Sequence, residues 1–468
     1  MKLFKSTIIL IVLCSIIVAG TDGTIRGQVK DTEGSPLPGV QIFVPELAMG
    51  AIADQNGNYI ILNLPVGTYD IKVMMIGYQT QTMKDVNVIM DQTMWLNFTL
   101  AIAAIEGDEV EVYGEKPLVE KGQTSRKITI DSETIESLPI RDLNEVYALQ
   151  SGVVRVQSRI HGIPDYEEKG LEEVHVRGGR SGEIAYMMDG MYLRNPIFNV
   201  IGTGTRLNLM AIRQLDWQPG GFNAEYGDAM SAVSNMHTAF GKDKFRYRFK
   251  YETSMVGSGV FGNEYDKLRG YNDYNLGFGG KIPLIGAVPF INSAHYWVSG
   301  QVTDEQSYRV LEFDNNVASD ILDDNIGNNV MPWDTEEGLR GFGFDKTYDI
   351  FGKLTYKPIV KLRFSLSYWS VAAHRKIFSS RFLYWDEGQN EIFRDTERIA
   401  FEMNHSLTAR TFYSFRYSHF IQNAFTGVRW QDSDDDGLPD WFEWKHGAGG
   451  RTNGQGNKEL SDINNPYV

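Results

Sequence analysis

The residue types and spacing that most directly suggest chemistry lie near the end of the sequence, in segment 432–443. Five carboxylates stand at its first, third, fifth, ninth and twelfth positions: Asp432, Asp434, Asp436, Asp440 and Glu443. Gly437 stands at the sixth position, and Leu438 offers its backbone carbonyl at the seventh. Carboxylates this close repel one another unless a hard cation neutralises them, and oxygen atoms are the ligands that Ca²⁺ prefers. The segment therefore predicts a structural calcium site.

This spacing matches an EF-hand calcium loop at every side-chain position. The flanks are different, because residues 426–430 read as a strand and Pro439 occupies a position usually held by a β-branched residue. We therefore expect an isolated calcium loop rather than a paired EF-hand. The alternative is a solvated acidic loop without a metal.

Motifs for enzymatic catalysis are poor. The eight histidines are scattered, and no His-Glu-x-x-His pattern occurs. The segment from Gly179 to Gly182 lacks the spacing of a nucleophile elbow, and no phosphate-binding loop is present. We do not expect an enzyme.

The first twenty residues have the order of a secretory signal. Lys2 and Lys5 precede an apolar run over residues 8–18, and small residues follow at 18–20. The run is shorter than the roughly 20 residues of a membrane-spanning helix, and a buried N-terminal helix is the alternative.

Cys14 is the only cysteine. Bulky Leu13 before it argues against lipid attachment, so the exported protein is expected to carry neither disulfides nor thiol chemistry.

Composition narrows the class of protein further. The formal net charge is −15, and it becomes −17 once Lys2 and Lys5 leave with the signal. Nucleic acid is therefore not an expected partner, because phosphate binding needs clustered cations. The chain has 25 Phe, 23 Tyr, 9 Trp and 47 Gly, and it has no later apolar segment long enough for a spanning helix. This combination favours a β-rich membrane protein, whose hydrophobicity alternates along strands.

Residues 23–100 read as a small β-sandwich, with strands predicted at 24–30, 39–44, 58–62, 68–76 and 94–100. Gly and Asn residues between them favour tight turns. Four segments, at 34–40, 54–59, 64–69 and 77–78, resemble the carboxypeptidase regulatory-like domain. The resemblance implies a transthyretin-like sandwich without catalysis of its own. On strand pattern alone, an unrelated immunoglobulin-like sandwich is the alternative.

Residues 101–116 read as a linker that contains a short extended stretch: Asp108, Glu109, Val110, Glu111, Val112 and Tyr113. A flexible strand of this kind can add to the sheet edge of a partner through backbone hydrogen bonds. Its position before the next domain resembles a TonB box, which implies a TonB-type periplasmic energy-coupling protein as the partner.

Residues 117–240 alternate strands with short helices. A capping-box spacing at Asp142 and Glu145 predicts a helix that buries Leu143, Val146 and Tyr147 on one face. Strands are predicted at 173–177, 183–189, 215–218 and 231–238. Six segments in order, at 138–139, 150–153, 174–182, 188–190, 220–227 and 231–235, are similar to the plug domain of TonB-dependent receptors.

The most specific of these landmarks is Arg177, Gly178, Gly179 and Arg180, followed by Asp189 and Gly190. The glycines allow tight turns, and Arg177 and Arg180 could pair with carboxylates on a barrel wall. The alternative for either arginine is a solvated surface charge. The set implies an α+β plug lodged inside a barrel.

Residues 241–468 are predicted to form part of a transmembrane β-barrel. Four aromatic residues alternate with four cations between Lys244 and Tyr251, which places the two types on opposite faces of a strand. Looser alternation predicts six further strands, at 271–281, 295–302, 348–356, 362–371, 399–407 and 412–420. Long connections alternate with short ones, as external loops do with periplasmic turns, so loop 304–345 is expected outside the cell. Seven strands fall short of the about 22 found in plugged transporters, which predicts that the barrel is incomplete here.

Two functions remain open from the sequence. The first is energised uptake of an external ligand across a bacterial outer membrane, and the second is surface binding or adhesion without transport. A siderophore, vitamin, glycan or peptide would fit the first. The resemblance also allows a surface lipoprotein lid, although the linker departs from the box usual in glycan-importing systems.

Overall fold

The computed structural model describes residues 23–47, 49–65, 67–88, 93–102, 110–113, 127–138, 140, 143–156, 173–179, 183–193, 207–222, 226–227, 229–282, 294–307, 309–313, 338–359, 361–376, 378–383, 389–408 and 411–428. The fold is mainly β, as predicted. Among the described residues, no helix is long and apolar enough to cross a membrane.

The N-terminal part is a two-sheet sandwich. One sheet contains β4, β1 and β7 in that order, with β8 also paired to β1, and the other has the order β3-β2-β5-β6-β9. Their bounds are β1 Gly23–Asp31, β2 Gln41–Val44, β3 Met49–Ile52, β4 Asn58–Leu64, β5 Gly67–Met74, β6 Gln81–Val88, β7 Thr93–Trp95, β8 Phe98–Leu100 and β9 Val110–Tyr113. Inward side chains alternate along β5 and form one buried core with those of β1 and β4. The predicted sandwich is confirmed.

Strand β9 lies at the edge of this sandwich. It pairs in parallel with β6, where Gln81 is opposite Val110 and Lys84 is opposite Tyr113. Residues 110–113 of the predicted TonB-box-like stretch are therefore extended. The sheet edge to which it adds belongs to the chain's own sandwich.

The plug region contains a mixed five-stranded sheet of order β10-β15-β16-β13-β14, and a separate pair formed by β11 and β12. The strand bounds are β10 Ile128–Asp131, β11 Val153–Val156, β12 Glu173–Val176, β13 Ile184–Met188, β14 Met191–Tyr192, β15 Ile212–Gln218 and β16 Ala232–Thr238. The helices are α1 Ser132–Ser137 and α2 Leu143–Ala148. Helix α2 buries Leu143, Val146 and Tyr147 on one face, as the spacing predicted. All seven residues of the central strand β16 are buried.

Seven antiparallel strands follow in the order β17-β18-β19-β22-β23-β24-β25. Their bounds are β17 Arg246–Thr253, β18 Asn272–Lys281, β19 Ala294–Glu305, β22 Phe344–Ile359, β23 Leu362–Lys376, β24 Asn390–Thr408 and β25 Thr411–Val428. The number of strands agrees with the prediction. In the described part of the chain this barrel sheet is open, with β17 and β25 as its edges.

The two faces of the barrel sheet differ as the alternation predicted. On β17 the aromatic side chains point outward, and Phe249 is 64% exposed. On the opposite face the Lys250 ammonium donates to the carbonyl of Ile140 in the plug, at 3.4 Å. The guanidinium of Arg248 lies 6.0 Å from the ring of buried Trp297. The cations therefore face the plug and the aromatics face away from it.

Two connections that sequence patterning treated as loops contain regular structure. After β17 come α3 Met255–Phe261 and α4 Glu264–Arg269. Within the predicted loop 304–345, β20 Arg309–Phe313 pairs with β21 Gly338–Phe342. The interpretation of 304–345 as wholly loop was therefore wrong. Phe342 is buried there against Phe313 and Phe378, so apolar packing orders the base of an otherwise polar connection.

Candidate functional site at the plug–wall interface

The plug and the barrel sheet share one hydrophobic core, which includes plug residues such as Met188, Leu215 and Trp217. From the sheet it includes Trp297, Phe351, Trp369 and Val371. We call the contact between these two groups, with the polar pairs described below, the plug–wall interface.

Asp189 is the polar centre of the interface. It begins the two-residue turn between β13 and β14, and Asp189 and Gly190 both adopt positive φ, at 50° and 72°. Such a hairpin turn needs positive φ at both positions, which is why Asp-Gly is favoured there. The turn directs the Asp189 carboxylate to Lys353 on β22, whose Nζ lies 3.0 Å away, and to Thr238, whose backbone N–H and hydroxyl both donate to it.

The electrostatics of this pair favour the charged form. Burial acts to raise the pKa of the Asp189 carboxyl, but the Lys353 ammonium and the hydrogen bonds from Thr238 outweigh burial. The pKa is therefore held well below its usual range. The Lys353 ammonium also donates to the Thr238 hydroxyl at 2.7 Å, so plug and wall are joined by a small buried network.

A second wall cation contacts the same hairpin. Arg398 on β24 is 1% exposed, and its Nη2 donates to the carbonyl of Met188 at 3.2 Å. Its Nη1 contacts the Met188 sulfur at 3.0 Å. Two cations of the wall therefore converge on the β13–β14 turn of the plug.

A third contact is formed by a buried carboxylate of the wall. Asp349 accepts a hydrogen bond from the Asn208 amide of the plug at 2.6 Å, and another from the Trp369 indole at 3.1 Å. The Trp297 indole donates to the Met210 carbonyl of the plug at 3.2 Å. These contacts fix the plug along β19, β22 and β23.

A buried ion cluster lies within the plug itself. Asp216 on β15 is completely buried, and its carboxylate is 2.9 Å from both Lys127 Nζ and His237 Nε2. Thr129 and Gln214 also donate to it. Burial acts to raise the pKa of Asp216, but Lys127 and then His237 outweigh burial and hold it well below its usual range. Lys127 directly precedes β10, so the cluster anchors the start of the plug to its central strands.

The predicted arginine landmark is only partly described. Arg177 and Gly178 take positive φ at the end of β12, and the exposed side chain of Arg177 lies beside Gly152 and Gly220. The carbonyl of Gly179 is hydrogen-bonded to His175 at 2.9 Å, while Arg180 lies outside the described residues. Pairing of Arg177 and Arg180 with wall carboxylates stays a prediction. The plug–wall ion pair that the described residues do show has the opposite polarity, with the carboxylate on the plug.

The other predicted sites are less complete. Val110, Glu111, Val112 and Tyr113 form β9, whereas Asp108 and Glu109 lie outside the described residues. All six predicted calcium ligands, from Asp432 to Glu443, also lie outside them.

Sequence reasoning missed Lys353, Arg398, Asp349 and Asp216. A buried charge within a strand gives no local signal that separates it from one facing a polar lumen.

Part of the chain matches a known family. Residues 25–112 match the family of the CarboxypepD_reg-like domain, so the sandwich is a carboxypeptidase regulatory-like domain. The match extends into β9, in agreement with the pairing of that strand. The chain also has TonB-dependent transporters and receptors among its homologues.

Two curated relatives illustrate this homology. The chain is 24% identical over 228 residues to the TonB-dependent transporter Oar of Myxococcus xanthus, an alignment that covers 47% of this chain and 21% of Oar. It is 28% identical over 182 residues to the TonB-dependent receptor P39 of Formosa agariphila, covering 38% of this chain and 16% of P39. The matching part of the chain thus spans about a fifth or less of these relatives.

Two solved structures are also similar to part of the chain. P. aeruginosa FpvA, bound to heterologous pyoverdines, matches with a TM-score of 0.45 and 10% identity over 67% of this chain and 37% of that one. The E. coli ferric-catecholate import receptor Fiu matches with a TM-score of 0.41 and 11% identity over 65% of this chain and 40% of that one.

Proposed function

We propose that the chain is the N-terminal part of an outer-membrane TonB-dependent transporter, in which a plug blocks a barrel until a periplasmic partner pulls on it. The observation that carries this proposal is the plug–wall interface. A sheet with an aromatic outer face holds the plug on its inner face through a shared apolar core and buried polar contacts. A barrel with a lipid-facing aromatic band and an occupied lumen has this arrangement.

Strand β9 is the proposed attachment point for the partner. It is an edge strand whose only described neighbour is β6, and an edge presents unpaired backbone groups to which a second strand can add. The energy would be supplied from the inner membrane, because the outer membrane faces no nucleotide pool. The ligand is proposed as a class only: a siderophore, vitamin, glycan or peptide too large or too scarce for passive entry.

The rival function is a surface adhesin, with the sandwich and calcium loop as binding modules. The contacts of the sandwich favour transport instead. It lies against the end of the barrel sheet where only two residues separate β22 from β23 and β24 from β25. Short turns are periplasmic in such barrels, so the sandwich is not displayed on the cell surface.

A proline at position 112 tests this function in the full-length receptor. Proline lacks the backbone N–H that a strand needs for pairing. We therefore expect Val112→Pro to abolish energised uptake while binding of ligand at the cell surface is unchanged. The matched control is Val112→Thr, which keeps a residue suited to strands and should transport normally. Normal uptake by the proline variant would contradict the proposal.

A further inference from the structure

The sandwich contacts the wall near the short connections between β22 and β23 and between β24 and β25. The Lys357 ammonium, at the end of β22, donates to the carbonyl of Leu47 at 3.1 Å. The Asn63 amide donates to the hydroxyl of Ser406 on β24 at 2.7 Å. These contacts position the sandwich beneath the plug, at the periplasmic end of the sheet.

The sandwich is also fastened to the plug. The Arg213 guanidinium, on β15, lies 5.1 Å from the ring of Tyr69 and 4.4 Å from that of Phe240. It packs against Gly67 so closely that a Cβ at residue 67 would collide with it. A cation held over aromatic faces and shielded from water is a favourable contact. Burial raises the pKa of the Tyr69 hydroxyl to about 12, which agrees with a well-packed junction.

A further contact is an ion pair between Glu46 of the sandwich and Lys242, which lies on the segment that joins plug and barrel. Both side chains are largely buried, at 33% and 15% exposure. Glu46, Lys242, Arg213, Lys357, Asn63 and Ser406 together form what we call the latch interface.

The sandwich lies over the part of the plug–wall interface that contains Asp189 and Lys353. A cavity of about 50 Å³ lies between the three parts, and Leu47 and Pro65 line it on the side of the sandwich. Asp189 and Lys353 line the same cavity from plug and wall. The docked sandwich therefore shields this ion pair from periplasmic water, which strengthens the pair because the surroundings are less polar.

We infer that the carboxypeptidase regulatory-like domain is a latch that locks the plug from the periplasmic side and must leave before the plug can move. The inference rests on the proposed function, because the force that moves the sandwich comes from the periplasmic partner that pulls on β9. Strand β9 pairs with β6 over four residues, so tension on β9 reaches the sandwich, which leaves the latch interface first. Water then reaches Asp189 and Lys353 and weakens their attraction.

The rate at which a reagent reaches the cavity shows whether the sandwich is docked. A cysteine at the cavity-lining wall position, Ser365→Cys, should react slowly with an impermeant maleimide added from the periplasmic side of the full-length receptor, because Ser365 is buried. Adding Glu46→Lys places a cation beside Lys242 and Arg213, so labelling should become several-fold faster. The matched control Glu33→Lys makes the same charge change at an exposed turn and should label as slowly as the parent. Restoring the pair with Glu46→Lys and Lys242→Glu together should return labelling to the slow rate.

Equal labelling rates for Glu46→Lys and Glu33→Lys would contradict the inference that the sandwich is a latch. This measurement does not require transport. A second measurement adds ligand to energised cells. Labelling of Ser365→Cys should then accelerate, and Val112→Pro should remove the acceleration. If uptake proceeds in these cells without faster labelling, the latch is wrong and the proposed function stands. If no uptake occurs in any cell, the proposed function fails, and the charge-reversal rates still decide the docking.

Discussion

Asp189 of the plug and Lys353 of the wall form a buried ion pair, with 3.0 Å between carboxylate and ammonium. The pair joins a two-residue hairpin of the plug to the middle of a 16-residue barrel strand. A buried pair contributes little net stability compared with apolar packing, but loss of one partner leaves an uncompensated charge. Removing either Asp189 or Lys353 alone therefore destabilises the seated plug. Entry of water weakens the attraction between the two charges.

Removing the cation alone should destabilise the seated plug. We expect Lys353→Met to lower the free energy of plug unfolding by roughly 3–5 kcal/mol, because the Asp189 carboxylate stays buried without its main partner. Urea titration of the purified protein measures this. The double variant with Asp189→Asn should recover part of the loss, and Lys281→Met, at an exposed position, should have no effect. An unchanged stability for Lys353→Met would show that the pair does not hold the plug.

Acid should weaken the plug through Asp216. Its pKa is lowered in the folded state by Lys127 and His237 despite burial, so the ionised carboxylate stabilises the plug above the usual Asp value of about 3.9. This contribution is lost as the pH falls below that value. Unfolding free energies measured between pH 7 and pH 3 should decline less steeply in Asp216→Asn than in the parent, with Glu33→Gln as the exposed control. Parallel pH profiles for all three proteins would show that Asp216 does not cause the loss of stability in acid.

The facing of β17 can be tested by folding into lipid vesicles. Replacing Phe249 with arginine near the middle of the bilayer should cost roughly 2–4 kcal/mol, because the charge enters hydrocarbon. Replacing its neighbour Arg248 with methionine should affect mainly the contact with Trp297 and cost less. Equal losses in the two variants would contradict the outward direction of the aromatic residues.

Calcium binding by segment 432–443 stays a prediction, to be tested by calorimetry on the full-length protein. We expect binding at about 10⁻⁴ to 10⁻³ M, the range of extracellular modules. Glu443 would bind through both oxygens, whereas Asp440 often acts through water. Glu443→Gln should therefore weaken the site more than Asp440→Asn. No heat of binding at millimolar calcium would reduce the motif to a solvated acidic loop.

The order of domains and the seven barrel strands could be predicted because each rests on local patterning. The alternation of apolar and polar residues was clearest where one face of a strand is expected to contact lipid. Strands β22 to β25 run for 15 to 19 residues, longer than the about 9–11 needed to cross a bilayer. Their ends extend beyond that medium and lose the alternation, so the predictions stopped short at residues such as Val371 and Phe420.

The site could be predicted only in part, because it depends on contacts between distant segments. Asp189-Gly190 was recognised as a landmark, since its turn has a local signature. Its partner Lys353 lies 164 residues later and looks like any cation of a polar face. The latch interface was not predicted, because Glu46, Arg213 and Lys242 are ordinary surface charges until three domains meet. Strand β9 was recognised as extended, but its pairing with β6 required the sheet.

The claim that transport requires the plug to leave the wall is tested most directly by tying the two together. Asn208→Cys with Asp349→Cys replaces both members of a buried hydrogen-bonded pair, so neither member is left facing the other unpaired. The Trp369 indole and the Ala211 N–H each lose an acceptor, so uptake by the unbridged double variant is the reference. Uptake is then measured in energised cells that carry the full-length receptor, before and after bridging the cysteines with a short cleavable crosslinker. The account predicts that bridging stops uptake, leaves surface binding of the ligand intact, and is reversed by cleavage. Uptake at an undiminished rate through the bridged receptor would contradict it.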